Sequence, residues 1–218
     1  MKKTTEPRSG SANIEYCPTL IEFILDETGS MSGCVNAVIS GFNAFLDEQR
    51  ALDTPCALTL TKFDTTGLRT PFVDLGVGMV PYLTASTFLP NSGTNLHDAI
   101  GLRTTALAER LSTFSTRPNA LVVVMTDGEE NGSRTWSQHG IRELIGQHSA
   151  QGVTFAYLGS TPYALNVAAN LGFAPGNAKQ FEASRTRETF TDLARATTAY
   201  RATRTAAATT SNEFFASN

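Results

Sequence analysis

Apolar and polar residues in the first third of the chain follow patterns that predict a strand, a helix and a strand pair. Residues 19–25 form an apolar run of strand length, and apolar residues between 34 and 52 recur every three or four positions, as on one helix face. Residues 57–64 alternate as a strand, and residues 68–75 return as its hairpin partner. Because Pro71 cannot donate a backbone hydrogen bond, this partner is expected to be an antiparallel edge strand.

The middle of the chain contains one long connection and the most continuous apolar run. Residues 76–93 include several prolines, glycines and serines and predict a loop. Apolar residues between 96 and 114 predict the next helix, and residues 119–126 predict a central parallel strand that is buried on both faces. Residues 135–148 begin with the spacing of a capping box, Thr followed three positions later by Gln, which predicts another helix.

The last third of the chain continues the alternation. Residues 153–158 predict a strand. Thr161 and Pro162 suit the N-cap and first position of a short helix, and Gly172 is expected to end it. Residues 179–183 predict a last edge strand, and apolar positions between 190 and 200 predict a final helix.

This succession of strands and helices, without an internal repeat, predicts an α/β fold. We expect a doubly wound, mainly parallel sheet with one antiparallel edge strand and helices on both faces. The 218 residues suit one domain, which we place at residues 17–204. Residues 1–16 are expected to be a flexible arm and residues 205–218 a disordered tail. The phenylalanines at 214 and 215 could dock on a partner or on the domain, but a frayed end is the favoured interpretation.

Composition narrows the classes of partner. The formal net charge is −3 and no basic patch stands out, which argues against nucleic acid or an anionic membrane as a partner. No stretch approaches the roughly 18 apolar residues of a membrane span. Cys17, Cys34 and Cys56 are odd in number and lack metal-type spacing, so they predict buried or unpaired thiols in a reducing compartment. Because polar residues follow the basic start of the chain, we expect no signal peptide and a cytoplasmic location.

The loop after the first predicted strand carries candidate metal chemistry. Asp26, Thr28 and Ser30 place one carboxylate and two hydroxyls at alternate positions, in a turn that Gly29 and Gly33 loosen. Oxygen donors of this kind suit a small divalent cation such as Mg²⁺. Taken alone, the pattern equally describes a turn whose side chains cap a helix and their own backbone.

Two later stretches favour the metal interpretation. Thr94 lies in a glycine-containing loop before a predicted helix, and Asp127 follows the central apolar strand directly. In an open α/β sheet, the carboxyl ends of the strands meet at one edge, where ligands bind. The sequence therefore predicts that five side chains converge there as a metal site: Asp26, Thr28, Ser30, Thr94 and Asp127.

With these residues in this order, the chain resembles the von Willebrand factor A (VWA) domain family, over roughly residues 19–204. The family's metal-ion-dependent adhesion site (MIDAS) has Asp-x-Ser-x-Ser after the first strand, a Thr in a later loop and an Asp after a central strand. This chain resembles its small, stand-alone cytoplasmic members of bacterial or phage type. Thr28 replaces the usual Ser, keeping the hydroxyl but adding a methyl and a stiffer torsion. Coordination is expected to survive, with altered geometry or metal preference.

The resemblance implies a role for each site residue. Thr28, Ser30 and Thr94 would supply direct or near-direct oxygens, and Asp26 and Asp127 would act partly through bound waters. The cation would be Mg²⁺, with Mn²⁺ or Ca²⁺ as alternatives, and an exposed Asp or Glu of a partner protein would complete its shell. The implied function is an adaptor without catalysis. By analogy with the family, its partner would be an ATPase-type machine.

Two other functions are weighed against the adaptor. A metal-dependent hydrolase or phosphatase-like enzyme is one, since haloacid-dehalogenase-type phosphatases also begin with an Asp after the first strand. They need a second Asp two residues later, where this chain has Thr28. Residues 29–33 resemble a hydrolase nucleophile elbow, but the central residue is Met31. The other is a structural component of a phage or bacterial assembly with a vestigial site, which the intact five-residue set disfavours.

Several residues near the predicted site are given ordinary roles. Glu27 is expected to point away from the metal, and Glu129 and Glu130 are interpreted as a solvated loop. His97 is interpreted as structural or solvent-facing. Trp136 could anchor a partner, but a half-buried tryptophan at a helix start is the favoured explanation.

Overall fold

The computed structural model describes residues 19–203 and 210–215, apart from the side chains of residues 183 and 203. The predicted N-terminal arm, residues 1–16, and Cys17 lie outside the described residues. Cys34 and Cys56 are buried, in agreement with the prediction for these two thiols.

The described part of the chain forms a six-stranded sheet with the strand order β3-β2-β1-β4-β5-β6. The strands are β1 (Thr19–Asp26), β2 (Cys56–Asp64), β3 (Gly67–Gly76), β4 (Asn119–Thr126), β5 (Val153–Gly159) and β6 (Ala178–Gln180). Strand β3 pairs antiparallel with β2, and the other neighbouring strands are parallel. The predicted doubly wound α/β fold with one antiparallel edge strand is therefore confirmed.

Helices cover both faces of this sheet. They are α1 (Val35–Arg50), α2 (Leu96–Leu111), α3 (Gln138–Ala150), α4 (Ala164–Leu171) and α5 (Thr186–Thr203). Apolar residues of α1 and α5 share one core with the sheet, and those of α2, α3 and α4 share a second core on the opposite face. Within the described residues, no helix combines the length and the apolar character that crossing a membrane requires.

The central strands owe their nearly continuous apolar sequences to these two cores. In β4, Val123 and Met125 face α1 and α5, whereas Val122 and Val124 face the other three helices. Successive side chains of a strand point to opposite faces, so a strand that is covered on both sides needs apolar residues at every position. This arrangement confirms the prediction for residues 119–126.

A charged residue in the middle of β1 fixes α2 on the sheet. Glu22 is fully buried and pairs with two arginines of α2, at 2.8 Å to Arg103 Nε and 2.7 Å to an Arg110 terminal nitrogen. Buried charges are tolerated when they are paired and hydrogen-bonded. Because α2 begins just after Thr94, this ion-pair group also fixes the loop that carries Thr94.

Helix α3 begins later than the capping-box spacing predicted. Its N-cap is Ser137, whose Oγ accepts a hydrogen bond from the Gly140 amide at 3.1 Å, rather than Thr135. Residues 134–136 form a loop instead, because the Asp98 carboxylate accepts hydrogen bonds from all three of their amides.

Helix α4 also begins later than predicted but ends as expected. Thr161 and Pro162 belong to a turn, closed by a 3.0 Å hydrogen bond from the Ala164 amide to the Thr161 carbonyl oxygen. Gly172 ends the helix with φ 93°, in the left-handed region that glycine occupies at little cost.

The described end of the chain, residues 210–215, packs against the domain instead of forming the predicted disordered tail. Phe214 is 2% exposed and its ring lies 6.0 Å from that of Tyr200. The Ser211 amide donates to Thr154 Oγ1 at 2.9 Å, and the Phe214 amide donates to Asn177 Oδ1 at 2.8 Å. These partners lie far away in sequence, so local composition could not indicate them. Residues 205–209 and 216–218 lie outside the described residues.

Candidate metal centre

Neighbouring parallel strands β1 and β4 end at the same edge of the sheet and carry the two aspartates there. Asp26 is the last residue of β1, and Asp127 follows Thr126, the last residue of β4. Thr126 Oγ1 donates a hydrogen bond of 2.5 Å to Asp26 Oδ2 and so ties the two strand ends together.

The loop after β1 turns its hydroxyls towards Asp127. The Thr28 amide donates to Asp26 Oδ1 at 2.8 Å, and Thr28 Oγ1 lies 3.0 Å from Ser30 Oγ. Ser30 Oγ in turn donates to Asp127 Oδ1 at 2.5 Å. A continuous set of hydrogen bonds therefore joins four of the five predicted site residues.

Thr94 completes the set from the loop before α2. Its amide donates to Asn131 Oδ1 at 2.9 Å, and its carbonyl oxygen accepts from the Asn131 amide at 3.0 Å. A Cβ atom added to Gly128 would lie 2.8 Å from Thr94 Oγ1, 3.5 Å from Ser30 Oγ and 3.7 Å from Asp26 Oδ2. The structure thus brings all five predicted side chains together around Gly128, and their role as metal ligands stays a prediction.

The site is closed on one side and open on the other. Asp26, Thr28 and Thr94 are buried, Asp127 is half-buried and Ser30 is exposed. An ion held by these oxygens would therefore face solvent on the side of Ser30 and Asp127.

The two carboxylates lie in an environment that disfavours their negative charges. Burial raises the pKa of Asp26 to about 6, against the opposing effect of hydrogen bonds from Thr126 and Thr28, and the nearby charge of Asp127 adds to the rise. Burial also raises the pKa of Asp127, opposed by the hydrogen bond from Ser30. Hydroxyl and amide donors hold both groups, and a cation between them would favour their charged forms.

The donor set fits a hard divalent cation. Two carboxylates and three hydroxyls offer only oxygen, which Mg²⁺, Mn²⁺ and Ca²⁺ prefer over nitrogen and sulfur donors. Among the described residues, no group of three or more His, Cys, Asp and Glu side chains is placed to hold a metal. Any ion at this edge would therefore depend on the hydroxyls of Thr28, Ser30 and Thr94. The lack of a side chain on Gly128 leaves room beside two of these hydroxyls.

Sequence reasoning missed several residues that shape the site. Thr126 and Asn131 hold Asp26 and Thr94 in place, as described above. The role of Thr126 could have been predicted, because a hydroxyl at the end of a strand parallel to β1 falls beside Asp26. The role of Asn131 could not have been predicted, since its partner Thr94 lies 37 residues away in the sequence.

Glu130 organises the loop after β4, so its interpretation as part of a solvated loop is wrong. Its carboxylate accepts hydrogen bonds from the amides of His97, Gly132 and Ser133 at 2.7–2.9 Å. Although burial alone would raise the pKa of Glu130, these donors hold it below its usual value. Glu129, by contrast, is exposed as expected.

Trp136 and His97 have the ordinary roles that were favoured. The half-buried indole of Trp136 packs on Gly101 of α2, where an added Cβ atom would lie 2.4 Å from the ring. His97 lies 3.8 Å from Glu130, and burial lowers the pKa of its imidazole.

Neither a protein-family model nor a curated protein matches this sequence. Solved structures do match it. The pilus adhesin SpaC from Lactobacillus rhamnosus GG, in an open conformation, aligns with a TM-score of 0.60 and 12% identity over 82% of this chain. The vWF domain of the type V pili tip protein Mfa5 from Porphyromonas gingivalis gives 0.58 and 9% identity, with 85% of this chain and 96% of that one covered.

A third structure, the manganese-loaded TRAP protein of Plasmodium vivax, aligns with a TM-score of 0.51 and 14% identity over 79% of this chain and 72% of that one. This chain spans only 30% of the SpaC chain. At these identities the likeness concerns the fold. The chain has the fold of the VWA domains, as the resemblance in its sequence implied.

Proposed function

We propose that this chain is a protein-binding module that holds a divalent cation at the five-residue site and captures an acidic side chain of a partner protein with it. One observation carries the proposal. Oxygen atoms from three separate parts of the chain, the β1 loop, the loop before α2 and the end of β4, meet around Gly128. Such a convergence has no evident purpose in folding alone, because it places two aspartates side by side.

The residues of the site have distinct parts in this proposal. The hydroxyls of Thr28, Ser30 and Thr94 would hold the ion, and the two aspartates would balance its charge directly or through water. Bound Mg²⁺, or alternatively Mn²⁺ or Ca²⁺, would supply positive charge and an open position for a carboxylate on the side of Ser30. Thr126 would hold Asp26 in place, and Asn131 would hold Thr94 in place.

The names of similar structures support protein binding. SpaC is a pilus adhesin and Mfa5 a tip protein of pili, and the TRAP structure contains manganese. These are properties of those proteins, and for this chain they support the proposal by analogy of fold.

We place no catalysis at the site. All three histidines, the usual general bases, have other neighbours: His97 lies 3.8 Å from Glu130, His139 3.4 Å from Glu143 and His148 3.2 Å from Gln151. Metal-dependent turnover of generic phosphate or ester substrates by the purified chain would contradict this part of the proposal.

Affinity capture from the native cell tests the proposal. The immobilised chain should retain a partner protein in Mg²⁺ and release it when a chelator is added. Asp26→Ala should lose the partner, whereas the matched control Asp53→Ala, at an exposed loop position, should retain it. Capture that survives both chelation and Asp26→Ala would count against the metal-dependent mechanism.

A further inference from the structure

A cavity of about 630 Å³ lies beside the candidate metal centre, between strands β2 and β3 and the connection that follows them. Its volume is within the roughly 300–1,000 Å³ of typical ligand pockets. Its walls include Leu60, Phe72, Leu83 and Leu89. We propose that this cavity is a second subsite of the binding face, which takes a large aliphatic or aromatic side chain from an acidic segment of the partner protein. The inference rests on the proposed function and specifies the partner further.

Glu27 joins the cavity to the metal loop. It lies between Asp26 and Thr28 in sequence, but its side chain is 1% exposed and lines the cavity, away from the site as expected. Its Oε1 accepts a 2.6 Å hydrogen bond from the Leu89 amide, and its carbonyl oxygen accepts one of 2.9 Å from the Asn91 amide. The wall of the cavity and the metal loop are therefore one hydrogen-bonded unit.

The charged groups in the cavity are paired with one another. Lys62 Nζ donates to Glu27 Oε1 at 2.8 Å, and a terminal nitrogen of Arg69 lies 2.8 Å from both Glu27 Oε2 and Asp64 Oδ2. A ligand therefore meets charges that are already compensated, and the remaining wall is mainly apolar. An apolar side chain loses little by entering such a space and gains from leaving water.

Among the paired charges of the cavity, the Arg69 guanidinium is the most exposed to solvent. The Arg69 side chain is 41% exposed, whereas its partners Glu27 and Asp64 are 1% and 2% exposed and Lys62 is 11% exposed. The guanidinium is thus the charge that a partner meets first. With a cation at the metal centre, this face complements a segment that carries acidic residues around an apolar one.

Two large hydrophobic residues that are exposed in the described part of the chain line this cavity. They are Tyr82 and Leu89, with exposures of 46% and 61%. Exposed apolar side chains that line a pocket provide apolar surface for a partner to cover.

Selection from a displayed library of peptides, each with one fixed Asp and random flanking residues, tests the inference. The whole chain is the target, in Mg²⁺. Enriched peptides should carry a large apolar residue at a constant distance from the Asp. Binding of an enriched peptide should weaken roughly tenfold when Ser86→Trp fills the cavity mouth, as expected for the loss of one buried side chain. The matched control Ser115→Trp, at an exposed position outside the cavity, should bind as wild type.

A second pair of variants guards against a folding artefact. Leu89→Ser should weaken the peptide, whereas Leu102→Ser, an exposed leucine on α2, should not. Replacing the apolar residue of the peptide by Ser should cost affinity in wild type but not in Ser86→Trp, since the cavity is already filled there.

The outcomes separate the two proposals. Enriched peptides that need the Asp and Mg²⁺ but show no apolar preference would contradict the proposed role of the cavity as an apolar subsite. The proposed metal-dependent function would not be affected. An apolar preference that Ser86→Trp removes, but that chelation and Asp26→Ala leave intact, would support the cavity and contradict the proposed function. A dimer of this chain that Ser86→Trp dissociates would mean that a second copy of the chain, and not a partner protein, occupies the cavity. The absence of any enriched peptide would count against the apolar subsite and against the proposed function.

Discussion

Three of the five candidate ligands at the metal centre are hydroxyl groups, and only two are carboxylates. Ser30 connects the two halves of the site, since its Oγ lies 3.0 Å from Thr28 Oγ1 and donates to Asp127 at 2.5 Å. Thr28 fits at a position where the family usually has Ser, and its added methyl group is buried with the rest of the side chain. The hydroxyl of this threonine lies beside that of Ser30, and its use as a metal ligand stays a prediction. The supporting contacts of Thr126 and Asn131 were not predicted, because they depend on partners from other parts of the chain.

Gly128 is expected to be required for metal affinity. A methyl group at this position would lie 2.8 Å from Thr94 Oγ1, so Gly128→Ala should displace that hydroxyl and lower the affinity for Mg²⁺ at least roughly tenfold, which corresponds to about 1.4 kcal/mol. Calorimetric titration with Mg²⁺ measures the effect. The control is Gly78→Ala, where an added Cβ atom meets nothing within 4 Å and affinity should not change.

Asp98 should stabilise the fold in a pH-dependent way. Burial alone would raise its pKa, but hydrogen bonds from the amides of Arg134, Trp136 and Thr135 hold the pKa below its usual value. A lowered pKa means that the carboxylate stabilises the folded state above about pH 4 and loses this effect as the pH falls through the folded-state pKa. Asp98→Asn should therefore cost about 1–3 kcal/mol at pH 7 and progressively less in acid.

Urea denaturation at several pH values measures this difference. Asp53→Asn, at an exposed position, is the control and should change stability little at any pH. An Asp98→Asn penalty that stays constant down to pH 2 would contradict the role given to the carboxylate.

Among the helices and strands, type and order followed from the sequence, whereas the starts of α3 and α4 did not. Pro71 marked β3 as an edge strand and the apolar run at 119–126 marked β4 as central, because both signals are local. The start of α3 depends instead on Asp98, which lies 36–38 residues before the amides it binds. A local capping pattern cannot reveal hydrogen bonds to a carboxylate that lies so far away in the sequence.

The contact between α1 and α5 is expected to depend on Gly41. A Cβ atom there would lie 2.3 Å from the Phe190 ring, which itself packs 6.4 Å from Phe23. Gly41→Ala should therefore destabilise the domain by about 1–3 kcal/mol through overpacking, despite the better helix propensity of Ala. Gly146→Ala on α3, where nothing lies within 4 Å, should instead stabilise by about 0.5–1 kcal/mol. Equal effects of the two substitutions in thermal unfolding would contradict the packing argument.

Residues 210–215 dock on the domain at the edge of the sheet opposite the candidate metal centre. This segment contacts the start of β5 and the turn before β6 through Thr210, Ser211 and Phe214. The composition of the tail predicted disorder, and only the non-local partners of Phe214 decide otherwise. The convergence of the metal loops, by contrast, could be predicted from a general rule, since parallel strands bring their carboxyl ends to one edge of the sheet.

Phe214→Ala should show that the docked segment contributes to global stability. The ring is 2% exposed and belongs to the core that α1 and α5 share, so its removal should cost about 3–5 kcal/mol. Phe215→Ala, which removes a partly buried ring beside it, should cost less. Chemical denaturation compares the two variants. A Phe214→Ala variant as stable as wild type would mean that the segment does not stay docked in solution.

Direct titration of Mn²⁺ into the purified chain, followed by electron paramagnetic resonance, tests the central claim that five converging side chains hold a divalent cation. We expect saturable binding of one ion per chain, competition by Mg²⁺, and affinity that falls at least roughly tenfold in both Thr94→Ala and Asp127→Ala but not in Ser115→Ala. Saturable binding that Thr94→Ala and Asp127→Ala leave unchanged, or no saturable binding in wild type, would contradict the claim.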